Sequence, residues 1–171
     1  MSYGRSRRYD SPSVGTIFGT LVAALVASLS FAGLLSSTGH LESVAALYGL
    51  EDVSSDWAVV VAHGLVGAVP FVAGLTRAAK HRFAPAPLAA ALRSPFLGGC
   101  LGVAYGTVCW LVGVAYGVPL WIDLTGGSLP LPYHHSASLV ALIGYGAVLG
   151  AWYPLVRTAV DDRGRARRSR P

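Results

Sequence analysis

Four stretches of the chain contain no Asp, Glu, Lys or Arg: Val14–Ser36, Trp57–Thr76, Phe96 to about Gly117 (as far as Leu120 on a longer reading), and Ala137–Val156. Each reaches the roughly 20 helical residues needed to cross a hydrocarbon core about 30 Å thick. Each is apolar all round rather than along one stripe, the pattern of a helix with no water on any side. The pattern predicts an all-α polytopic membrane protein, an antiparallel bundle of four transmembrane helices over 14–156. A basic segment, 1–13, precedes it and a basic tail, 157–171, follows.

Between the spans, Leu41 to Leu50 reads as a short helix lying on the bundle. Ala84-Pro85-Ala86-Pro87 reads as a stiff, extended connection. The arginine-rich tail after Val160 is expected to be disordered and to touch anionic lipid headgroups. Arg7-Arg8 before the first span resembles a twin-arginine signal, but Tyr9-Asp10 follows where a hydrophobic pair would be favoured. The apolar run is 23 residues long, against about 7–15 in a cleavable signal. The first span is therefore expected to be retained.

Composition makes a soluble fold untenable, since 53% of residues are hydrophobic and only 12% are charged. The net charge of +5 taken alone hints at nucleic acid, but the basic residues have no aromatic interleaving and cluster beside apolar runs. Arg5, Arg7 and Arg8 precede span one, and Arg77, Lys80, Arg82 and Arg93 lie between spans two and three. Arg157, Arg163, Arg165, Arg167, Arg168 and Arg170 follow span four, which completes the chain's 13 Lys and Arg. Loops 37–56 and 118–136 hold none of them, and carry Glu42, Glu51, Asp52, Asp56 and Asp123 instead. Basic loops face the cytoplasm, so both termini are expected inside and the cell membrane is the expected location. Trp57, Trp121 and Tyr133 would anchor the outer interface, and Trp152 and Tyr153 the inner one.

Small residues recur at helical spacing. Gly98, Gly102 and Gly106 form a ladder in span three, with Gly113 and Gly117 beyond it. Gly15 and Gly19 lie in span one, and Gly146 and Gly150 in span four. Such ladders let helix backbones approach closely, against another helix of the chain or against a second copy in a homo-oligomer or larger membrane complex. Pro70 removes a backbone hydrogen bond from span two, leaves the Val66 carbonyl without its usual donor, and is expected to kink the helix. Cys100 and Cys109 would sit about 13 Å apart on one helix, beyond disulfide reach, and read as small buried hydrophobes.

At about 1.5 Å per residue, one polar residue from each helix falls in a common outer layer: Ser28, His63, Trp110 and Tyr145. His134 and His135 cap it, and His40 lies in the other outer loop. His63 is the one histidine inside a span, so it is a site hypothesis by default. Three readings compete. One is a neutral imidazole hydrogen-bonded to Ser28 or Tyr145. The second is a metal or haem ligand, with His134 or His135 as a further nitrogen. The third is a proton or small-solute pathway, although no carboxylate lies in a span to continue it. His134 and His135, with Asp123, form a separate candidate transition-metal set, which would need an irregular backbone such as Pro130 and Pro132 permit. No nucleophile–base arrangement, phosphate-cradling loop or CxxC pair occurs, so no catalytic residue is assigned.

Trp57-Ala-Val-Val-Val-Ala-His63-Gly-Leu-Val-Gly67 in span two and Gly144-Tyr145-Gly146-Ala-Val-Leu-Gly150-Ala-Trp-Tyr153 in span four, with the glycine ladder of span three, resemble a family of small four-helix integral membrane proteins of haloarchaea and bacteria. That family is a domain of unknown function, sometimes mislabelled histidine kinase. The resemblance covers about 14–156. It implies a second histidine three residues before the last-helix tyrosine, where this chain has Leu142, and the kinase label has no room here for a nucleotide-binding domain. The expectation for function is an accessory or structural membrane subunit. The alternatives are a haem- or metal-binding electron-transfer protein using His63 and an outer histidine, and a small transporter or channel.

Overall fold

The structure is a computed structural model that describes residues 14–50, 52–80 and 86–168. The basic segment 1–13, Ala84, Pro85 and residues 169–171 lie outside the described residues. The described chain is helical: α1 (Val14–Ser37), α2 (Glu42–Ala46), α3 (Val53–Lys80), α4 (Ala86–Ala91), α5 (Pro95–Cys109), a π-helical segment (Trp110–Gly117), α6 (Val118–Leu124) and α7 (Ser136–Arg168). The α5, π and α6 segments run on without a break, so four helices are long and apolar enough to cross a membrane: Ile17–Ser37, Val53–Ala78, Pro95–Leu124 and Ser136–Val160.

Helix ends follow local chemistry. Gly39 adopts φ +71° just after α1, and the His40 N–H donates back to the Leu35 carbonyl at 2.9 Å. This closing loop satisfies a carbonyl left bare at the helix end and favours a residue without Cβ. At the other end of the bundle, Pro95 stands in the first turn of α5, and the Ser94 hydroxyl accepts from the Leu97 N–H at 3.4 Å, a pairing suited to a helix start.

Three expectations are corrected. Ala86 and Pro87 open the short helix α4 instead of continuing an extended linker, because proline's fixed φ suits a first helical turn. The tail after Val160 is helical as far as Arg168 rather than disordered. It continues α7, which runs on past Pro154. Tyr153 is fully buried rather than an interface anchor, whereas its neighbour Trp152 is exposed.

Among the helices, α5 packs most closely on α7, α7 on α1, and α1 on α3. The α5–α7 contact is made by backbone. A Cβ placed on Gly98, Gly102 or Gly106 would fall on the carbonyls of Gly150, Gly146 and Leu142, and one on Gly146 or Gly150 would meet those of Gly102 and Gly98. The partner of the span-three ladder is thus span four of the same chain. Gly113 does not extend the ladder, for open space surrounds it. In contrast, α3 and α5 are bridged by side chains: the Phe71 and Tyr105 rings lie 5.1 Å apart. Outward, Ile17, Leu21, Leu25 and Leu29 form an exposed apolar stripe on α1, and Val66, Phe96, Val112 and Val140 are more than 60% exposed. Lipid tails accept such surfaces at no cost, whereas water would not.

Candidate functional site

The site is built by the two acidic loops, which meet at one end of the bundle. Pro119 opens α6 and has no N–H, so the Ala115 carbonyl four residues earlier lacks its helical donor. The Tyr133 N–H occupies that place at 2.8 Å, docking the 125–135 loop onto span three. On the other side, Gly49 takes φ +70° after α2 and the Leu50 N–H returns to the Ala45 carbonyl at 3.2 Å. The Trp121 indole N–H donates to the Leu47 carbonyl at 3.1 Å, and the His40 and His135 rings meet edge to face at 4.6 Å.

Beneath these loops lies a cleft of about 580 Å³ between α3, α2 and the π segment. Tyr48, His63, Gly113, Trp121, His135 and Tyr145 are among its lining residues, and among the described residues no Asp, Glu, Lys or Arg joins them. Volumes of about 300–1,000 Å³, apolar walls and a few placed polar groups are the usual form of a small-molecule site. The π segment contributes Gly113, Val114 and Gly117 to the wall. Short π-helical departures recur at functional sites because they re-aim one turn of a helix.

His63 bonds neither Ser28 nor Tyr145, contrary to the first sequence reading. Its Nδ1 lies 2.8 Å from the Val59 carbonyl and its Nε2 2.8 Å from the Tyr48 hydroxyl. A carbonyl only accepts, so Nδ1 carries the proton, and in the neutral ring Nε2 accepts from the Tyr48 O–H. An imidazolium would have no counter-charge among the lining residues. Both ring nitrogens are engaged, so a metal or haem at His63 would have to displace Tyr48. Ser28 is buried and donates to its own helix, to the Ala24 carbonyl at 2.6 Å. Tyr145 donates to the Gly64 carbonyl at 2.5 Å, and Tyr105 to the Gly67 carbonyl. Both carbonyls lie in the turns before Pro70, on either side of Val66, the residue whose carbonyl Pro70 leaves without its helical donor.

The other expected site residues are dispersed. The Trp110 N–H donates to the Ser138 hydroxyl at 3.1 Å and to the His135 carbonyl at 3.2 Å, and the exposed His134 ring sits against Trp110 at 6.3 Å. His135 stacks on Tyr133, and its Nδ1 accepts from the Ser138 N–H at 3.3 Å at the start of α7. Burial, and then repulsion from His40, push its pKa below the ordinary histidine value. Asp123 does not line the cleft. Among the described residues, no three His, Cys, Asp or Glu side chains converge as a metal site would need, because consecutive His134 and His135 turn to different neighbours.

Tyr48, Tyr105 and the π segment escaped the sequence reading. Pro119 was the available signal, since the argument made for Pro70 and Val66 applies equally to Pro119 and Ala115. The chain matches no known protein-family model, no curated protein and no solved structure, so the cleft is interpreted on its own geometry.

Proposed function

We propose that this chain is a multi-pass cell-membrane protein, both termini cytoplasmic, that holds a small uncharged amphipathic molecule in the cleft at its outer end. It acts as a binding or accessory subunit. The observation that carries the reading is the lining: a drug-sized, apolar cleft with phenol, imidazole and hydroxyl groups but no formal charge. Ions and carboxylates would find no counter-charge there, whereas a neutral molecule dissolved in the outer leaflet would lose nothing on entering. The basic segments flanking spans one, three and four support the orientation.

Gly113 offers a clean test, because it lines the cleft and a Cβ added there meets nothing within 4 Å. In nanodiscs, a tritiated long-chain alcohol should bind the protein saturably above empty nanodiscs. Gly113→Leu should weaken that binding about tenfold while leaving the melting temperature unchanged. Equal binding by the two proteins would rule out the cleft as the site. Orientation is tested separately with Ser54→Cys, at an exposed position beginning α3. An impermeant maleimide should label it in intact cells, and labelling only after lysis would reverse the topology.

A further inference from the structure

The hydrogen bonds around the cleft restrict what can fill it. The Tyr48 hydroxyl proton is engaged by His63 and that of Tyr145 by the Gly64 carbonyl. The Ser138 hydroxyl donates to the His135 carbonyl at 2.9 Å, and the Trp121 N–H is held by Leu47. A phenolic oxygen that has donated its proton still presents lone pairs. Along the α3 wall, therefore, the cleft has acceptors to offer and its protons are already committed. The remaining donors include the Ser43 hydroxyl on α2 and the Tyr133 hydroxyl on the loop before α7, both at the mouth, and the weakly donating Cys109 thiol on α5.

Resting on the reading of the cleft as a ligand site, we infer that its ligand is an apolar alcohol or phenol, whose hydroxyl donates to the Tyr48 oxygen and whose carbon body lies along Gly113 and Val114. The His63–Tyr48 pair is what sets this polarity. The Val59 carbonyl holds a proton on Nδ1, so in the neutral ring Nε2 accepts, and Tyr48 is thereby turned into an acceptor toward the cleft. A ketone, aldehyde or ether of the same shape would face lone pairs with lone pairs, and an unmet acceptor in an apolar site carries a desolvation cost. The missing side chain at Gly113 leaves the room that the carbon body fills.

The test is displacement of a tritiated long-chain alcohol from protein-loaded nanodiscs by the unlabelled alcohol, its methyl ether and the matching aldehyde. In the wild type the alcohol should displace about three- to tenfold more effectively than either analogue, the span of one net hydrogen bond. His63→Leu frees the Tyr48 proton for donation, so the aldehyde should gain and the ratio fall to about one or invert. Tyr48→Phe, which leaves the bundle's packing helices untouched, should also abolish the discrimination. If all three compounds displace equally in the wild type and His63→Leu leaves the ratio unmoved, the inference is overturned and the cleft simply takes chains, acyl chains of lipids included. That outcome would leave the Gly113→Leu result standing. Absence of saturable binding by any probe overturns the ligand site and this inference with it.

Discussion

Gly102→Ala should unfold the α5–α7 pair, costing about 3 kcal/mol or more, at the upper end of what overpacking does. The expectation rests on the identity of the clashing atoms. The new methyl would fall on the Gly146 carbonyl, a backbone group of a helix that is itself held by contacts on both sides. No rotamer change can relieve it, so the helices must separate and give up the close backbone approach that holds them together in lipid. Thermal unfolding of the purified protein, followed by size-exclusion fluorescence, should show a large loss of folded material. Gly99→Ala on the same helix is the control, because its nearest neighbour stands at 3.6 Å and an added methyl makes an ordinary contact. Equal melting of Gly102→Ala and wild type would refute the packing described for these helices.

The second large effect concerns Gly64, and here the clash is with a side chain. A Cβ at this position meets the Ser28 hydroxyl and Cβ, in the contact between α1 and α3. Ser28 is fully buried and cannot swing away into solvent. Gly64→Ala should destabilise by about 1–3 kcal/mol. Ser28→Gly should then restore much of the loss in the double variant, although the α1 backbone, 3.1 Å from the new atom, limits full recovery. A double-mutant cycle isolates this coupling. Additive losses, with no rescue, would show that Ser28 is not what Gly64 makes room for. The pair matters beyond stability, since the Gly64 carbonyl receives Tyr145 and the neighbouring residue is His63.

The two variants also show where sequence reading succeeds and where it stops. The spans are legible because a bilayer demands long uncharged runs, and nothing else in a short chain produces four of them. The glycines at 98, 102 and 106 are legible as a close-packing face for the same kind of reason. Their partner is not legible, because a ladder carries no label of the helix it meets. Ser28, His63, Trp110 and Tyr145 were placed at a similar depth by counting residues. Depth says nothing about azimuth: Ser28 and Tyr145 both meet Gly64, whereas His63 turns to Tyr48 and Trp110 to Ser138. His63 finds Tyr48, fifteen residues away in a loop, through a turn that depends on the positive φ of Gly49. The end of α7 is not legible, because a run of arginines resembles a solvated tail whether or not the backbone beneath it is helical. The π segment left no trace in hydropathy, since Trp110–Gly117 is as apolar as the helix on either side.

The unequal joints of this bundle give it one stiff wall and one compliant wall. Where α5 and α7 touch backbone to backbone, neither can slide or tilt without collision, so that half of the molecule is a fixed frame. Opposite it, α3 meets α5 through the rings of Phe71 and Tyr105, and its carbonyls take the hydroxyls of Tyr105 from α5 and Tyr145 from α7, joints that pivot by rotamer changes. Any guest of varying girth in the cleft would therefore be met by movement of α3 together with α1, to which the Gly64–Ser28 contact ties it, with α5 and α7 as the reference against which that movement is measured.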